Sequence, residues 1–424
     1  MKISLFQQAP YRFLPPDFER HHSSVCDTPY SLATPEGVYR SVRDFMDELM
    51  AGARAGFDGL AVTEHGQTSW DLMPNPDLAA AALAYATEAE NLNVAIYPMG
   101  RSLGKSREPL RVAEEYALLD VLSGGRLVAG FPVGLSYDVS VNNGIAPIQT
   151  RPRFEENLDL VLAAWTRAEP FPWNGRFSRH PQVNIWPRPL QRGRPPVWIT
   201  GVGNPNTMRT ALERGFGFNY FGFYGTKLTG DRIFDRFWEI ADELGMPANP
   251  YRLGFLQTIA VAETDAQAEK DYAEHVEYAY RKGLGSIPAE RRSLPGSIDI
   301  RGLEAIFRDP ADFGFAAKMQ TATYRELVEA GAVIAGSAET VREQLLDFFS
   351  RNRIGNLNAM LGFGSLPHEL ALKNVALFAD EVLPHLRELW QHSGFEHHWW
   401  PERLGGAPLG ELGASTGATE KAAA

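Results

Sequence analysis

Short apolar runs alternate with longer amphipathic stretches along most of the chain. The first run covers residues 3–7, and the stretch at 35–55 that follows reads as a helix. Thr34 stands where a side chain caps a helix, Pro35 where the fixed φ of proline suits the first turn, and Gly56 where the helix stops. The same unit recurs. Further strands are predicted at 59–63, 94–97, 126–131, 196–200, 216–221, 252–262 and 356–361. The intervening helices fall at 76–91, 109–122, 153–167, 205–214, 230–244, 266–281 and 338–351, with a closing helix at 367–389. Strand-then-helix repeated in this way predicts an α/β protein with a parallel sheet, and eight units favour closure into a (β/α)8 TIM barrel.

Length adds a second feature. A barrel of this type needs about 250 residues, and the chain has 424. The excess predicts insertions after strand four (132–150) and after strand seven (283–335), the second read as a lid or insertion over one end. Residues 1–390 then form the barrel domain and 391–424 a C-terminal extension, whose Gly/Ala/Ser/Thr-rich end from 405 reads as a disordered tail. Composition is that of an ordinary globular chain, 44% hydrophobic and 22% charged. The net charge of −11 and the absence of a long basic run argue against nucleic-acid binding. Any anionic ligand needs a local site built against that overall charge. A single cysteine, Cys26, permits neither an intrachain disulfide nor a thiolate metal cluster. With no signal-like N-terminus and no apolar run long enough to span a membrane, these features predict a cytoplasmic protein.

Active sites of such barrels lie at the C-terminal ends of the strands. Strand two ends in Thr63-Glu64-His65, which makes His65 the candidate acid, base or hydrogen-bond donor. Glu64 beside it also suggests a metal site, but adjacent strand residues point to opposite sides. Strand five runs into Gly201-Val202-Gly203-Asn204-Pro205-Asn206-Thr207, where glycines admit a ligand, Asn204 can cap the next helix, and that helix start suits an anion. Ser123-Gly124-Gly125-Arg126 precedes strand four, lies at the opposite face, and reads as a stability element. His392, His397 and His398, like His21-His22, are read as lacking a carboxylate or thiolate partner at helical spacing, so no metal is expected.

Several stretches together resemble the bacterial luciferase-like flavin-dependent monooxygenases. They are Ala55–His65 (AGFDGLAVTEH), Arg107–Leu127 with its Leu-Ser-Gly-Gly-Arg close, Arg153–Asn157, Pro195–Ile199, Ala335–Val341 and Gly362–His368, in order along residues 1–390. The resemblance implies a barrel enzyme using reduced FMN and O2, a homodimer, and a separate flavin reductase that supplies the FMN. It places His65 beside the isoalloxazine ring, Tyr97 and Pro98 under it, and Gly203, Asn204 and Thr207 around the phosphate. Relatives often carry a cis bond at the end of strand three, and Pro98 makes a cis Tyr97–Pro98 bond cheaper here. Relatives also often have Gly-x-Gly-Arg-Gly after strand four. This chain has Gly130-Phe131-Pro132-Val133-Gly134, so the phosphate arginine is absent, with Arg101 or Lys105 as substitutes, or none. The loop at Asn142-Asn143-Gly144-Ile145 departs from the family pattern as well.

The implied reaction forms a flavin hydroperoxide that inserts one oxygen atom into a small apolar organic substrate. Phe6, Tyr97, Trp198, Phe221 and Phe223 are candidate walls of its pocket. The alternatives are a deazaflavin (F420)-dependent dehydrogenase on the same fold, a non-catalytic flavin-binding protein, and a metal hydrolase using Glu64 and His65.

Overall fold

The structure, a computed structural model, describes residues 1–22, 24–221, 231–283, 287, 294 and 318–408. Eleven strands are defined among them: β1 Lys2–Gln7, β2 Gly59–Val62, β3 Ala95–Pro98, β4 Ala129–Gly130, β5 Phe171–Asn174, β6 Arg179–Val183, β7 Val197–Gly201, β8 Gly217–Phe221, β9 Leu253–Ala262, β10 Val333–Ser337 and β11 Asn356–Met360. The main sheet runs β3-β2-β1-β11-β9-β8-β7-β4, all parallel. It closes between β3 and β4, where Ile96 pairs with Leu127 and Val128 N donates to Ile96 O at 2.9 Å. The expected (β/α)8 barrel is therefore present, and its eight strands are the eight predicted from the sequence.

The alternation of each strand sorts side chains into two cores. Ile3, Leu5, Leu60, Val62, Phe218 and Phe255 face outward into the apolar layer beneath the helices. Phe6, Ala61, Ala95, Tyr97, Val128, Trp198 and Leu256 fill the interior. Helix capping follows the sequence closely. Thr34 accepts from Gly37 N at 3.0 Å and starts helix Pro35–Arg54, while Gly56, at φ +89°, lets the chain turn away.

Two features lay outside the sequence reading. Residues 333–337, which overlap the end of the segment expected to be insertion or lid (283–335), form β10, which extends the sheet by pairing with the second half of the long β9. Most of the rest of 284–317 lies outside the described residues. The second feature is the C-terminal segment. Trp399 and Trp400 pack into the lower barrel interior, where Trp198 Nε1 donates to Trp399 O at 2.9 Å. Glycines make the room: a Cβ on Gly217 would lie 2.5 Å from the Trp198 ring, and one on Gly59 3.1 Å from Trp400. Among the described residues, no helix is long and apolar enough to cross a membrane.

Candidate active site

The strand order dictates which loops meet. β2, β3, β4 and β7 are consecutive around the barrel, so the loops leaving their C-terminal ends converge on one side of the mouth. All four candidate regions read from the sequence lie there.

Beyond β2 the alternation continues for three residues and separates Glu64 from His65. Glu64 is buried and turns to the loop after β3, accepting from Ser102 N at 3.0 Å and pairing with Arg101 at 3.1 Å and Lys105 at 3.3 Å. His65 turns to the insertion after β4, where its Nδ1 lies 2.9 Å from Asp138 Oδ2. Its Nε2 stands 3.4 Å from the Thr63 hydroxyl, and its ring is 4.3 Å from that of Trp70. The two residues thus belong to different networks, which removes the shared metal geometry. Among the described residues, no three metal-binding side chains converge.

Asp138 sits in a single wide helical turn, Tyr137–Val141. That turn is latched to the loop after β2: Tyr137 Oη donates to Gln67 O at 2.9 Å and Asn142 Nδ2 to Gly66 O at 2.9 Å. The asparagine that departs from the family pattern is therefore a clasp between the two loops. Burial lowers the pKa of His65, but the charge of Asp138 and its hydrogen bond outweigh that, and the net shift is upward from 6.5. A third group, Asp71, is buried beside the pair and accepts from Ala9 N at 3.0 Å. Burial pushes its carboxyl up to about 7, against the opposing pull of His65.

The raised pKa has a defined consequence. The protonated His65–Asp138 pair contributes stability that is complete below the unfolded histidine pKa and is lost as pH rises through the folded one. Asp138→Asn leaves burial nearly alone, so the His65 titration, followed by the imidazole NMR resonances, is expected to move to lower pH. An unmoved titration contradicts the pairing.

Beyond β3 the side chains also separate. Tyr97 points into the barrel, 3% exposed, with its phenol beside the Thr200 hydroxyl; neither oxygen has a well-formed hydrogen bond within the protein. Pro98 points the other way, its carbonyl accepting from Tyr116 Oη at 3.2 Å. The Tyr97–Pro98 bond is trans; among the described residues the one cis bond is Trp186–Pro187. The reason is visible in the ladder: Val62 pairs with Pro98, and Met99 N donates to Val62 O at 2.8 Å, so β3 runs on regularly through the proline. Trp198, also expected at the pocket, lies one layer down against the C-terminal segment, and Phe223 is outside the described residues.

Beyond β7, Gly203 adopts φ +96°, and a Cβ there would press on Ile233 at 3.0 Å. Asn204 caps helix Pro205–Glu213, its side chain accepting from Asn206 N at 2.9 Å, while its carbonyl accepts from Thr207 N at 3.0 Å. Thr207 lies on the first turn, where its hydroxyl accepts from Arg151 Nη2 at 3.0 Å. Gly203, Asn204 and Thr207 are thus together as expected. Arg101, proposed as the substitute cation, is instead held by three carboxylates, Glu64, Asp77 and Glu115, and Lys105 by Glu64.

The other half of the mouth is an apolar cleft lined by Tyr11, Trp70, Phe221, Leu256, Met360 and Phe363. Trp70 joins it to His65. Far from this site, His397 stacks on Tyr251 with centroids 3.7 Å apart and His398 pairs with Glu396, both at the N-terminal face.

The family model for luciferase-like monooxygenases matches residues 24–352. The chain belongs to that family. It is an enzyme of the luciferase-like flavin-dependent monooxygenase/oxidoreductase kind. It is 24% identical over 384 residues to 2,5-diketocamphane 1,2-monooxygenase 1 of Pseudomonas putida, covering 85% of this chain and 98% of that protein. Among solved structures, the oxygenating constituent of the 3,6-diketocamphane monooxygenase of Pseudomonas putida, in complex with FMN, superposes with a TM-score of 0.64 at 21% identity, over 91% of this chain and 98% of that one. An F420-dependent secondary alcohol dehydrogenase shares the fold with a TM-score of 0.60 at 16% identity, over 91% and 99% of the two chains.

Sequence reasoning missed three residues that the fold brings to this candidate site: Asp138, Trp70 and Arg151. Two had a usable signal. Asp138 is the one carboxylate in the whole insertion 132–150, and Arg151 is the first cation after Arg126. Both follow β4, on the side where loops reach the mouth.

Proposed function

We propose that this enzyme uses reduced FMN and O2 to insert one oxygen atom into a small apolar organic substrate, the second oxygen leaving as water, with the reduced FMN supplied by a separate reductase. The observation that carries this reading is the His65–Asp138 pair standing between an apolar cleft and the capped helix after β7. The chemistry of the residues fits FMN. The helix start with Thr207 and Arg151 suits a phosphate, and the buried Tyr97 and Thr200 hydroxyls leave polar capacity inside the mouth where a ring edge would lie. When bound, the flavin supplies the two electrons that reduce oxygen.

The protein's own contribution is placement, dryness and a proton. With Nδ1 engaged by Asp138, Nε2 is the nitrogen of His65 able to exchange a proton with a bound molecule. Trp70 packs on one face of the imidazole and joins it to the cleft, and exclusion of water there by a bound substrate would favour substrate oxidation over release of hydrogen peroxide. The apolar cleft walls also favour an apolar substrate of modest size.

Anaerobic titration is expected to show tighter binding of reduced than of oxidised FMN, and oxygen uptake is expected only with the reduced form. Tighter binding of the deazaflavin cofactor, with no response to reduced FMN, would replace this reading by the dehydrogenase alternative, which the shared fold of the F420-dependent enzyme supports.

The helix after β7 gives a second test. Asn204→Ala combined with Thr207→Ala removes the cap and the hydroxyl at the proposed phosphate position, so flavin affinity is expected to fall about tenfold or more while the chain stays folded. An unchanged dissociation constant moves the phosphate elsewhere. A homodimer and a cytoplasmic location complete the proposal. The apolar side chains Leu78, Tyr85, Leu118 and Leu122 are exposed on the adjoining helices Pro76–Ala89 and Pro109–Leu122, which supports self-association. Sedimentation equilibrium decides it.

A further inference from the structure

β1 leads into two glutamines that meet opposite fates. Gln7 is fully buried on the outer side of the strand, and both ends of its amide are engaged: Nε2 donates to Glu48 Oε2 at 3.1 Å, and Oε1 accepts from Gly362 N at 2.8 Å. Gln8, one residue on, lies on the other side and lines the apolar cleft, half-buried. Among the described residues its amide has no hydrogen-bond partner. Gln7 pairs with Val62, so Gln8 stands level with Thr63, whose hydroxyl is 3.4 Å from His65 Nε2.

Trp70 lines the same cleft from the loop after β2. It is 5% exposed, its ring is 4.3 Å from that of His65, and its Nε1 is buried with no hydrogen-bond partner among the described residues. An indole N–H donates and cannot accept, and a buried donor left without an acceptor is costly. Other polar side chains of the cleft are engaged by the protein. Tyr11 Oη accepts from Thr34 N at 3.0 Å, Ser69 Oγ donates to Val25 O at 3.1 Å, and Tyr280 Oη donates to Ala332 O at 2.6 Å. Lys282 Nζ donates to His22 O at 3.0 Å and lies over the Phe18 ring. Gln8 and Trp70 thus leave neutral N–H groups unengaged on the His65 side of an otherwise apolar cleft. The carboxyls of Asp138 and Asp71 stand close to His65, which disfavours a further anion there.

We propose that Gln8 and Trp70 are specificity-determining residues that hold the substrate by one uncharged acceptor oxygen, so that the enzyme takes apolar molecules carrying such an oxygen in preference to hydrocarbons of the same shape. The inference rests on the oxygen-insertion reading above for what happens to the bound molecule, and adds how that molecule is chosen and turned. A carbonyl oxygen has two lone pairs and accepts from both donors. That end of the molecule then lies toward His65, and its hydrocarbon body against Leu256, Met360 and Phe363. A hydrocarbon leaves the Trp70 donor unmade, and the site discriminates against it for that reason.

The test uses two matched probe pairs, cyclohexanone with methylenecyclohexane and acetophenone with ethylbenzene. Each pair keeps the shape and removes the oxygen. Dissociation constants are measured by ligand-observed NMR titration of the full chain, anaerobically, with and without reduced FMN. The wild-type chain is expected to prefer each ketone about tenfold. Gln8→Leu and Trp70→Phe are each expected to weaken ketone binding about three- to tenfold, the effect of one neutral hydrogen bond, with hydrocarbon binding unchanged or tighter. The double variant is expected to show no preference. Gln8→Glu keeps the size and loses both amide donors, so it serves if the leucine variant fails to fold. Equal binding of ketone and hydrocarbon by the wild type overturns the proposal, as does a wild-type preference in the double variant. An equal loss for both members of a pair overturns it too, because it marks a packing role. Tighter binding of benzoate than of acetophenone overturns the choice of an uncharged oxygen. A wild-type chain that binds none of the probes overturns the proposal and leaves the FMN reading standing. A chain that shows the ketone preference but binds no reduced flavin overturns the FMN reading and keeps these two residues as ligand contacts.

Discussion

His65→Ala, folded and still binding reduced FMN, is expected to consume oxygen and release hydrogen peroxide in place of oxidised substrate. The reasoning starts from geometry. Asp138 fixes the ring through Nδ1 at 2.9 Å and Trp70 packs on its face, so the imidazole is held in one orientation with Nε2 near Thr63 at the barrel mouth. Alanine removes the imidazole, whose Nε2 is the ring nitrogen left to exchange a proton once Nδ1 is engaged by Asp138. It leaves the helix after β7, and hence the proposed phosphate contacts, untouched. Positioned acid–base assistance contributes about 10²–10⁴-fold in rate, so product formation should fall by that order while the flavin dissociation constant changes little. Asp138→Asn should give a smaller loss of the same kind, because the ring stays but its orientation and charge are no longer held. The measurement pairs oxygen consumption with product and hydrogen peroxide yields. Normal product yield in folded His65→Ala would reduce the residue to packing.

The second large effect is expected at the opposite end of the barrel and should leave the chemistry alone. Arg126 is fully buried. Its guanidinium donates to Ser123 O at 2.7 Å, Val94 O at 2.8 Å, Leu92 O at 3.2 Å, Ala84 O at 3.2 Å and Thr87 Oγ1 at 3.0 Å. These acceptors come from the C-terminal part of helix Pro76–Ala89, the entry to β3 and the turn before β4. One side chain therefore ties three segments together where the barrel closes. Arg126→Leu leaves several buried carbonyls without a donor, each costing about 1–3 kcal/mol less whatever relaxation recovers. A total of roughly 3–5 kcal/mol is expected, at the high end for a single substitution. Urea unfolding measures it. The folded fraction should bind flavin as the wild type does, since Arg126 lies at the N-terminal face. A large change in flavin affinity at constant stability would contradict the division between a stabilising face and a catalytic one.

That division is legible in the sequence. The strand-end rule separated Ser123–Arg126 from His65 and from Gly203–Thr207, and the structure keeps them at opposite ends. Pairing was not legible. Glu64 and His65 are neighbours in sequence and strangers in space, because successive side chains leave a strand on opposite sides. Arg101 looked available as a cation because its three carboxylate partners lie between 14 and 37 residues away, a spacing that carries no sign of contact. Asp138 meets His65 across 73 residues. Only closure of the barrel, which sets the loop after β4 beside the loop after β2, makes them partners.

The sequence by itself determined the eight strands and their helices, because hydrophobic periodicity, proline and capping residues act within a few residues of one another. With the strand-end rule it also indicated the face at which to expect the chemistry, and through family resemblance it pointed to Gly203, Asn204 and Thr207. The tertiary structure alone decided that Trp399 and Trp400 fill the lower barrel, since they meet Trp198 and Gly59, on separate strands, about 200 and 340 residues away. It alone decided that Pro98 continues a regular strand with a trans bond, because the ladder to β2 fixes that geometry. It also decided that Arg151, not Arg101 or Lys105, faces the helix after β7. Charges find their partners through space, and the order of strands around a closed barrel is what brings those partners within reach.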